Sequence, residues 1–437
     1  MTEPISRLEE TVVTRAREAR TELVATLDDL VSCVTTARLP GESARDEEKH
    51  QRILGARLAA LGAEVDLWEP DAIPADHPLF PGGLDFKGRP QLVARIPGAG
   101  GGKSLLTSGH IDVVSAEPGK WSHDPFKMWE ADGLLYGRGV VDMKGGIAAL
   151  LTAVEALHRA GVRLRGDILF TTNTDEESTG AGSWAITQRG YRADGGVCAE
   201  PSSFDAWIAC RGMVKPRITV AGRAGHTQFM QPHWKDGGPV NAIEKLQLVL
   251  QGIKQLRDEW SIRSDCQHPL LIPGDIVPTI VHGGTWAVTY PSSCTLVCDV
   301  QYLPAQSDAD GSGATIKAEI MERLNAATLA DPWFIDHPLE WEWQWGAAPA
   351  EMAPDHPLIG VLLDAGADLG RTGRIAGADT WHDGANFTVH ANTPCLSYGP
   401  GDVLRAHTVD EYIPIDDIVD YAATMAVAMM RFCGVSA

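Results

Sequence analysis

The chain has 437 residues, 44% of them hydrophobic and 22% charged, a composition that is typical of folded globular proteins and excludes a largely disordered one. This length exceeds what one ordinary hydrophobic core accommodates, so two domains are expected. The 58 acidic and 37 basic side chains give a formal charge of −21, which repels phosphate backbones and anionic lipid and argues against nucleic acid as a partner.

Cysteine spacing and hydropathy predict a cytoplasmic protein with no membrane association. The 8 cysteines include no C-x-x-C pair, and residues 1–30 form a charged amphipathic stretch without the apolar core of a signal peptide. No apolar run approaches the roughly 20 residues that a bilayer crossing needs. A reducing cytoplasm is therefore the predicted location.

Apolar periodicity predicts two helices at the start of the chain, over residues 12–34 and 43–61. Strands and helices then alternate up to residue 199. The predicted strands are 63–67, 91–96, 104–107, 167–172 and 195–199, and the predicted helices are 145–160 and 182–189. Such alternation indicates an α/β domain with a mostly parallel sheet, whose functional sites form beyond the carboxyl ends of the strands.

The pattern changes after residue 212 and indicates an inserted domain of the α+β class. The predicted elements of this insert are strands at 215–221, 275–281, 286–289, 295–302 and 339–345 and helices at 240–260 and 314–326. We therefore predict an inserted domain over 213–346, within a first domain formed by 1–212 and 347–437. The first domain resumes with a helix at 357–369 and a strand at 395–398.

Polar residues follow several of the predicted strands. His110 and Asp112 end the strand at 104–107, and in an extended chain their side chains lie on the same face. A carboxylate beside a metal-bound imidazole fixes its tautomer and raises its basicity. An isolated His-x-Asp pair is also common in solvated loops, so this pair gains weight only from its companions.

Acidic residues supply these companions. Asp142 occupies the place of the third glycine in a G-x-G-x-x-G pattern, which excludes a dinucleotide site and suits a bridge between two cations. Glu176 and Glu177 follow the strand at 167–172, where three consecutive acids repel one another unless a cation or a helix dipole compensates them. Glu200 takes the same position after the strand at 195–199. Together they predict a carboxylate-rich metal site.

Taken together, these motifs resemble the di-zinc aminoacylase family of metallopeptidases. The matching stretches are SGH-x-D at 108–112, GRG-x-x-DMKGG at 137–146, DEE at 175–177, EP at 200–201, GPG at 399–401 and AHT-x-DE at 406–411. This family includes acetylornithine deacetylase, succinyl-diaminopimelate desuccinylase and carboxypeptidase G. The likeness covers nearly the whole chain in the same order, including the inserted domain.

The resemblance implies a catalytic domain of the zinc-exopeptidase type and a role for each matching residue. It implies two Zn²⁺ ions, with Mn²⁺ or Co²⁺ as alternatives, held by five ligands: His110, Asp142, Glu177, Glu200 and His407. Asp142 would bridge the ions, with His110 and Glu200 on one and Glu177 and His407 on the other. Glu176 is then the expected general base for a metal-activated water, and Asp112 supports His110.

The resemblance also gives the inserted domain a function. Residues 222–227 (GRAGHT) match the family's lid motif, so His226 is expected to donate to the developing oxyanion, often across a dimer interface. A simple strand-end cap is the alternative interpretation. The resemblance thus implies a homodimer formed through the inserted lid.

Two positions in the insert depart from the family pattern. Val288 stands where many members have Asn, and Gln301 stands where they have an arginine that binds the substrate carboxylate. A glutamine cannot supply a charged bidentate fork. Either the substrate lacks that carboxylate or another arginine takes over, the candidates being Arg211, Arg371 and Arg374.

A further loop is expected at the substrate. Residues 381–386 (WHDGAN) fall where relatives place a loop at the site, so His382 and Asp383 are predicted to contact substrate, a plain surface loop being the alternative. The chain also carries 13 tryptophans, and Trp121, Trp286 and Trp381 lie near predicted site loops. Packing explains most tryptophans, but an aromatic substrate group stays open.

The predicted function is a two-metal amidohydrolase that removes an acyl group from a small N-acyl amino acid or amine, or cleaves a dipeptide-like amide. One alternative applies the same site to an aromatic or heterocyclic amine or amide. Another is a metal-binding relative that does not catalyse a reaction. The presence of every expected ligand and of Glu176 argues against this alternative.

Overall fold

The computed structural model describes residues 5–38 and 41–436 as an α/β protein. Its helices are α1 (Arg7–Glu18), α2 (Arg20–Val31), α3 (Glu47–Ala60), α4 (Gly145–Arg159), α5 (Ala181–Gln188), α6 (Ala242–Trp260), α7 (Ala314–Thr328), α8 (Trp333–Asp336), α9 (Pro357–Asp368), α10 (Gly384–Ala391) and α11 (Ile415–Cys433). Its strands are β1 (Glu64–Trp68), β2 (Gln91–Ile96), β3 (Leu105–His110), β4 (Trp129–Ala131), β5 (Leu134–Tyr136), β6 (Ile168–Asn173), β7 (Gly195–Cys198), β8 (Ala206–Cys210), β9 (Gly212–Ala221), β10 (Asp275–Gly283), β11 (Ser293–Tyr302), β12 (Glu340–Ala347), β13 (Ala350–Glu351), β14 (Ile375–Ala378), β15 (Cys395–Ser397) and β16 (Tyr412–Pro414).

The larger sheet has the order β1-β2-β6-β3-β7-β15-β8-β13, with β14 also paired to β8. Its central strands β6, β3, β7 and β15 run parallel, which confirms the predicted mostly parallel sheet. Successive residues face opposite sides: Leu105 joins the core formed with α4 and α11, whereas Leu106 joins the core formed with α5 and α10. Helices therefore cover both faces, which explains the apolar strands.

The smaller sheet is antiparallel, with the order β10-β11-β9-β12. Residues of β9 alternate between buried and half-buried positions, so one face packs against α6 and α7 in a second core that extends from Val214 to Leu339. Met213 pairs with Ala347, so the two chain crossings between the sheets lie side by side.

Several predicted elements differ from the structure. The helical pattern at 12–34 is two helices, α1 and α2, that meet at Ala19. The strand predicted at 286–289 is wrong, because this stretch is a turn in which Trp286 is 73% exposed. Helix α11 was not predicted: 15 of its residues are buried, and residues 421–430 carry no charged side chain that would mark a polar face there.

Within the described ranges, the helices lack the combination of length and apolar character that a bilayer crossing demands.

Candidate metal centre

Three of the predicted ligand segments meet because they follow adjacent parallel strands. His110 is the last residue of β3, which lies between β6 and β7. Glu176 and Glu177 come shortly after β6, and Glu200 comes shortly after β7. Carboxyl ends of parallel strands share one edge of the sheet, so the topology brings these side chains together.

Asp142 lies at the centre of the cluster. Its Oδ1 is 2.9 Å from His110 Nε2, and its Oδ2 is 3.3 Å from His407 Nε2. His407 Nε2 is also 3.1 Å from Glu177 Oε1. Ligand atoms of His110, Asp142 and Glu177 all lie within 4.8 Å of one another. Residues separated by almost 300 positions thus converge on one carboxylate.

Glu176 and Glu200 complete the acidic lining. Both border a cavity of about 260 Å³ together with Asp142, Glu177 and His407. Glu176 Oε2 is 3.9 Å from His110 Nε2. Glu200 is buried, and its Oε1 has no hydrogen-bond partner among the described residues. Burial raises the pKa of both glutamates well above their ordinary value.

This set of donors fits divalent cations. Buried carboxylates are costly unless a positive charge compensates them. Hydrogen bonds that the His407 ring donates to the carboxylates of Asp142 and Glu177 raise the pKa of His407 to about 10, as expected where carboxylates favour a positive charge. Imidazole and carboxylate ligands suit zinc and related divalent ions, so the cluster is a candidate metal site in which the unpaired Glu200 oxygen is a free ligand.

Asp112 supports the site differently from the predicted His–carboxylate contact. His110 Nδ1 lies 2.8 Å from the main-chain carbonyl of Asp112, whereas the carboxylate is 3.9 Å away. That carboxylate accepts the backbone N–H groups of Glu176 and Glu177, at 3.2 and 3.0 Å. Burial raises its pKa to about 7. Asp112 therefore fixes both the imidazole and the loop that carries the two glutamates.

The Asp142 loop is held by a second carboxylate. Glu411 is fully buried, pairs with Arg138 at 2.6 Å and accepts backbone N–H groups from Gly139, Val141 and Asp142 at 3.0–3.3 Å. Sequence reasoning included Glu411 in a motif but gave it no role. Two sequence signals suggest the pairing of Glu411 with Arg138. Glu411 lies close to His407 in the sequence, and Arg138 lies between two glycines.

Another buried ion pair supports the Glu176 loop. Arg89 forms a bidentate contact with Asp175 and lies 3.4 Å from Glu47. All three side chains are 1% exposed or less. Asp175 has a φ of 69°, which is uncommon for a residue with a side chain. Arg89 was not identified from the sequence, because nothing local links it to a loop 86 residues away.

The rest of the cavity lining includes three aromatic side chains. It is formed by Trp207, Thr380, Trp381, His382, Val403 and Ala406. Of the two residues predicted to contact substrate here, His382 borders the cavity. Asp383 is instead held inside the protein by Asn173, at 2.6 Å, and by Ser183.

The remaining predicted substrate residues lie elsewhere. His226 is exposed on the smaller domain, where its ring packs edge-on against Phe229. Gln301 and Arg211 border a different cavity, whose other lining residues all lie in the inserted domain. The alternatives Arg371 and Arg374 pair with acids on the surface of the larger domain. Whether His226, Gln301 or Arg211 acts on substrate stays a prediction.

Comparison with known proteins decides the family. Residues 106–431 match the family described as peptidase family M20/M25/M40. The chain belongs to this peptidase family. The match spans the strand that ends at His110, the inserted domain and the loop of His407.

Individual relatives of this M20 chain agree with that assignment. The N-formyl-4-amino-5-aminomethyl-2-methylpyrimidine deformylase of Bacillus subtilis is 28% identical over 438 residues, 96% of each chain. Acetylornithine deacetylase of Vibrio campbellii is 29% identical over 364 residues, 79% of this chain and 85% of that protein. The resemblance to the di-zinc aminoacylase family is thus confirmed, and the chain is a hydrolase acting on C–N bonds.

Solved structures confirm the fold class. Human carnosine dipeptidase 1 superimposes with a TM-score of 0.70 at 16% identity, covering 98% of this chain and 100% of that one. A dinuclear metal-binding M20 peptidase from Bacillus subtilis superimposes with a TM-score of 0.61 at 13% identity, covering 95% and 99%. Both support a mostly parallel catalytic domain with an inserted α+β domain.

Proposed function

We propose that this M20 hydrolase is a two-metal deacylase that removes the acyl group from a small N-acyl amino acid or N-acyl amine. The observation that carries the proposal is the convergence of His110, His407 and Glu177 on Asp142, with Glu176 beside them. The two curated relatives named above, a deformylase and a deacetylase, also support removal of a small acyl group.

The ligand atoms divide into two sets. We propose that His110 and Glu200 hold one cation, that Glu177 and His407 hold the other, and that Asp142 bridges them. Zinc is the proposed metal, with manganese or cobalt as alternatives. When bound, such a pair of cations lowers the pKa of a water molecule and polarises a carbonyl.

The chain's own residues then move the proton. Glu176 accepts a proton from the attacking water and passes it to the nitrogen of the leaving amine. Asp112 holds Glu176 in position through the backbone N–H, at 3.2 Å. His226 is the proposed donor to the developing oxyanion, reaching the site through lid closure or across a dimer interface.

Three further proposals concern the whole molecule. Residues 213–346 are proposed to act as a lid and dimerisation domain on a catalytic domain made of 1–212 and 347–437. The working form is proposed to be a homodimer. The location is proposed to be the cytoplasm, a proposal that the free and buried state of all eight cysteines supports.

A heterocyclic amine is the second candidate substrate, and the cavity wall favours it. Trp207 and Trp381 line the cavity, whereas lysine and arginine are absent from its lining among the described residues. A substrate carboxylate would find no cation there other than the metals. The pyrimidine deformylase aligns over 96% of the chain, which supports the same class.

A substrate panel combined with elemental analysis tests the proposal. N-formyl, N-acetyl, N-succinyl and N-carbamoyl derivatives of amino acids and of aromatic amines are assayed with protein that carries its metal. We expect hydrolysis of at least one acyl class, about two metal ions per chain, and loss of activity on chelation that added Zn²⁺ restores. Binding without hydrolysis of every compound would instead favour a non-catalytic relative, and full activity of metal-free protein would refute the metal mechanism.

A further inference from the structure

We propose that His382 determines which amines this enzyme accepts, by donating a hydrogen bond from Nε2 to an uncharged ring nitrogen of a flat heteroaromatic amine. This inference rests on the proposed deacylase function, because it assigns a contact to the amine portion of the substrate. Four observations carry it: the tautomer of His382, its unpaired N–H group, the aromatic cavity wall and the rigidity of the loop.

The tautomer follows from the Nδ1 contact. His382 Nδ1 accepts the backbone N–H of Gly384 at 3.2 Å. A ring nitrogen that accepts a hydrogen bond carries no proton, so in the neutral ring the proton is on Nε2. Burial lowers the pKa of His382 to about 4, which keeps the ring neutral near pH 7. His382 therefore offers one uncharged N–H donor.

This donor has no partner within the protein. His382 is 3% exposed, and its Nε2 has no hydrogen-bond partner among the described residues. A buried donor without a partner destabilises the folded protein, and such groups are rare in native proteins. His382 borders the cavity that contains Glu176 and Asp142, so the acceptor assigned to this buried nitrogen is a molecule bound in that cavity.

The walls beside His382 select a flat, uncharged group. The Trp381 indole N–H donates to the carbonyl of Ala348 at 3.0 Å, so its ring offers only apolar surface to the cavity. That ring lies directly against Gly180, where an added Cβ would be 2.3 Å from the indole. Trp207 is half-buried on the same cavity. The lining includes no lysine or arginine among the described residues that could bind an anionic group of the substrate.

The loop that carries His382 is fixed on both sides. The Asp383 carboxylate accepts hydrogen bonds from Asn173 and Ser183. On the other side, Arg211 donates to the main-chain carbonyl of Asp379, and the backbone N–H of Ile272 donates to the Asp379 carboxylate at 2.8 Å. Because the loop is already ordered, substrate binding loses little conformational entropy in the protein. A donor on such a loop therefore discriminates well between substrates with and without an acceptor.

The test compares substrates that differ only in one ring nitrogen. The probes are N-formylbenzylamine and the three N-formyl(aminomethyl)pyridines, assayed where the pyridine ring is uncharged. For one pyridine isomer we expect kcat/KM to exceed that of the benzyl compound about tenfold, since the benzyl ring leaves the donor unpaired. His382→Leu should lower kcat/KM of the preferred pyridine compound to that of the benzyl compound and so abolish this preference, whereas His382→Gln, which keeps an N–H near the same place, should restore part of it.

Several outcomes would overturn the inference. The first two are the absence of any preference in the unmodified enzyme and an unchanged preference in His382→Leu. An equal loss of kcat/KM for both substrates in His382→Leu would place the donor on the scissile amide. A loss of bound metal in this variant would make His382 a metal ligand. If no amide is hydrolysed although metal is bound, the deacylase proposal fails instead. Calorimetric binding of the (aminomethyl)pyridines and benzylamine then tests His382 by the same comparison.

Discussion

Glu176 is the one acid of the cluster that is proposed to transfer a proton rather than hold a metal. Glu176→Gln keeps the size of the side chain and removes its basicity. We expect kcat to fall about 10²- to 10⁴-fold, while the metal content stays unchanged because the proposed ligands are intact. Steady-state kinetics and elemental analysis check both values.

The exposed Glu130 provides the matched control, and Glu130→Gln should leave kcat unchanged. An unaltered kcat in Glu176→Gln would assign the base to another residue. Loss of metal in this variant would make Glu176 a ligand.

His50 couples stability to pH at a site away from the cavity. It is fully buried in α3, both ring nitrogens lack partners among the described residues, and burial lowers its pKa well below 6.5. The unfolded chain therefore takes up a proton below pH 6.5 that the folded chain does not. Stability is then lost as pH falls from this value, by at most about 1.4 kcal/mol per pH unit for one proton.

His50→Leu should remove this component. We expect the variant to lose less stability than the unmodified protein between neutral and mildly acidic pH, as measured by urea unfolding at each pH. His158, which is exposed, is the control, and His158→Leu should keep the original pH dependence. Parallel pH profiles for His50→Leu and the unmodified protein would contradict the assignment.

At the level of single residues, the proposed ligands could be named from the sequence because each follows a strand or lies in a glycine-rich turn. The residues that hold these side chains in position could not be named from the sequence. Glu411, Arg89 and Asn173 contact Arg138, Asp175 and Asp383 across 273, 86 and 210 positions of sequence, and no local pattern indicates which buried acid pairs with which donor. The role of Asp112 in holding Glu176 likewise depends on two loops meeting in space.

At the scale of elements, one ion pair joins the segment before β2 to the loop after β6. Arg89→Met leaves the buried Asp175 carboxylate uncompensated, so we expect the free energy of unfolding to fall by about 3–5 kcal/mol. Because Glu176 follows Asp175 in the same loop, the substitution should also displace Glu176 and lower kcat. Urea unfolding and kinetics measure the two effects.

Arg95 on β2 is the matched control. It also contacts two acids, Glu64 and Asp167, but its side chain is 42% exposed, and exposed pairs contribute little. Arg95→Met should therefore leave both stability and kcat nearly unchanged. Equal effects at Arg89 and Arg95 would show that burial is not what makes the first pair important.

Most elements were predictable because their patterns are local. The alternating residues of β9 and the apolar strands β2 and β6 gave clear signals. Helix α11 gave a weaker signal, because α1, α4 and α9 pack against it and its charged residues lie only near its two ends, with none at 421–430. The stretch 286–289 has a strand-like composition, yet Gly284 adopts a φ of 79° and the chain turns there.

At the scale of the molecule, β10 is an exposed edge of the smaller sheet. Its residues Val277, Ile280 and Val281 are 38%, 48% and 51% exposed, and an apolar edge of this kind favours pairing with another chain. We expect a dimer in solution and expect Ile280→Lys to shift it toward monomer, as measured by sedimentation.

Val65 on β1, the edge of the larger sheet, is 37% exposed and is the matched control. Val65→Lys should leave the dimer intact. A monomeric mass for the unmodified protein at working concentration would remove the dimer proposal.

The loop from Asp379 to His382 is tied to both chain crossings between the domains, through Arg211 on one and Ala348 on the other. If the inserted domain closes over the cavity as proposed, its rotation about these crossings would move this loop as a unit and carry Trp381 with it. Under that proposal, closure of the domain and the fit of the amine against Trp381 would be coupled, so a poorly fitting amine would hinder closure.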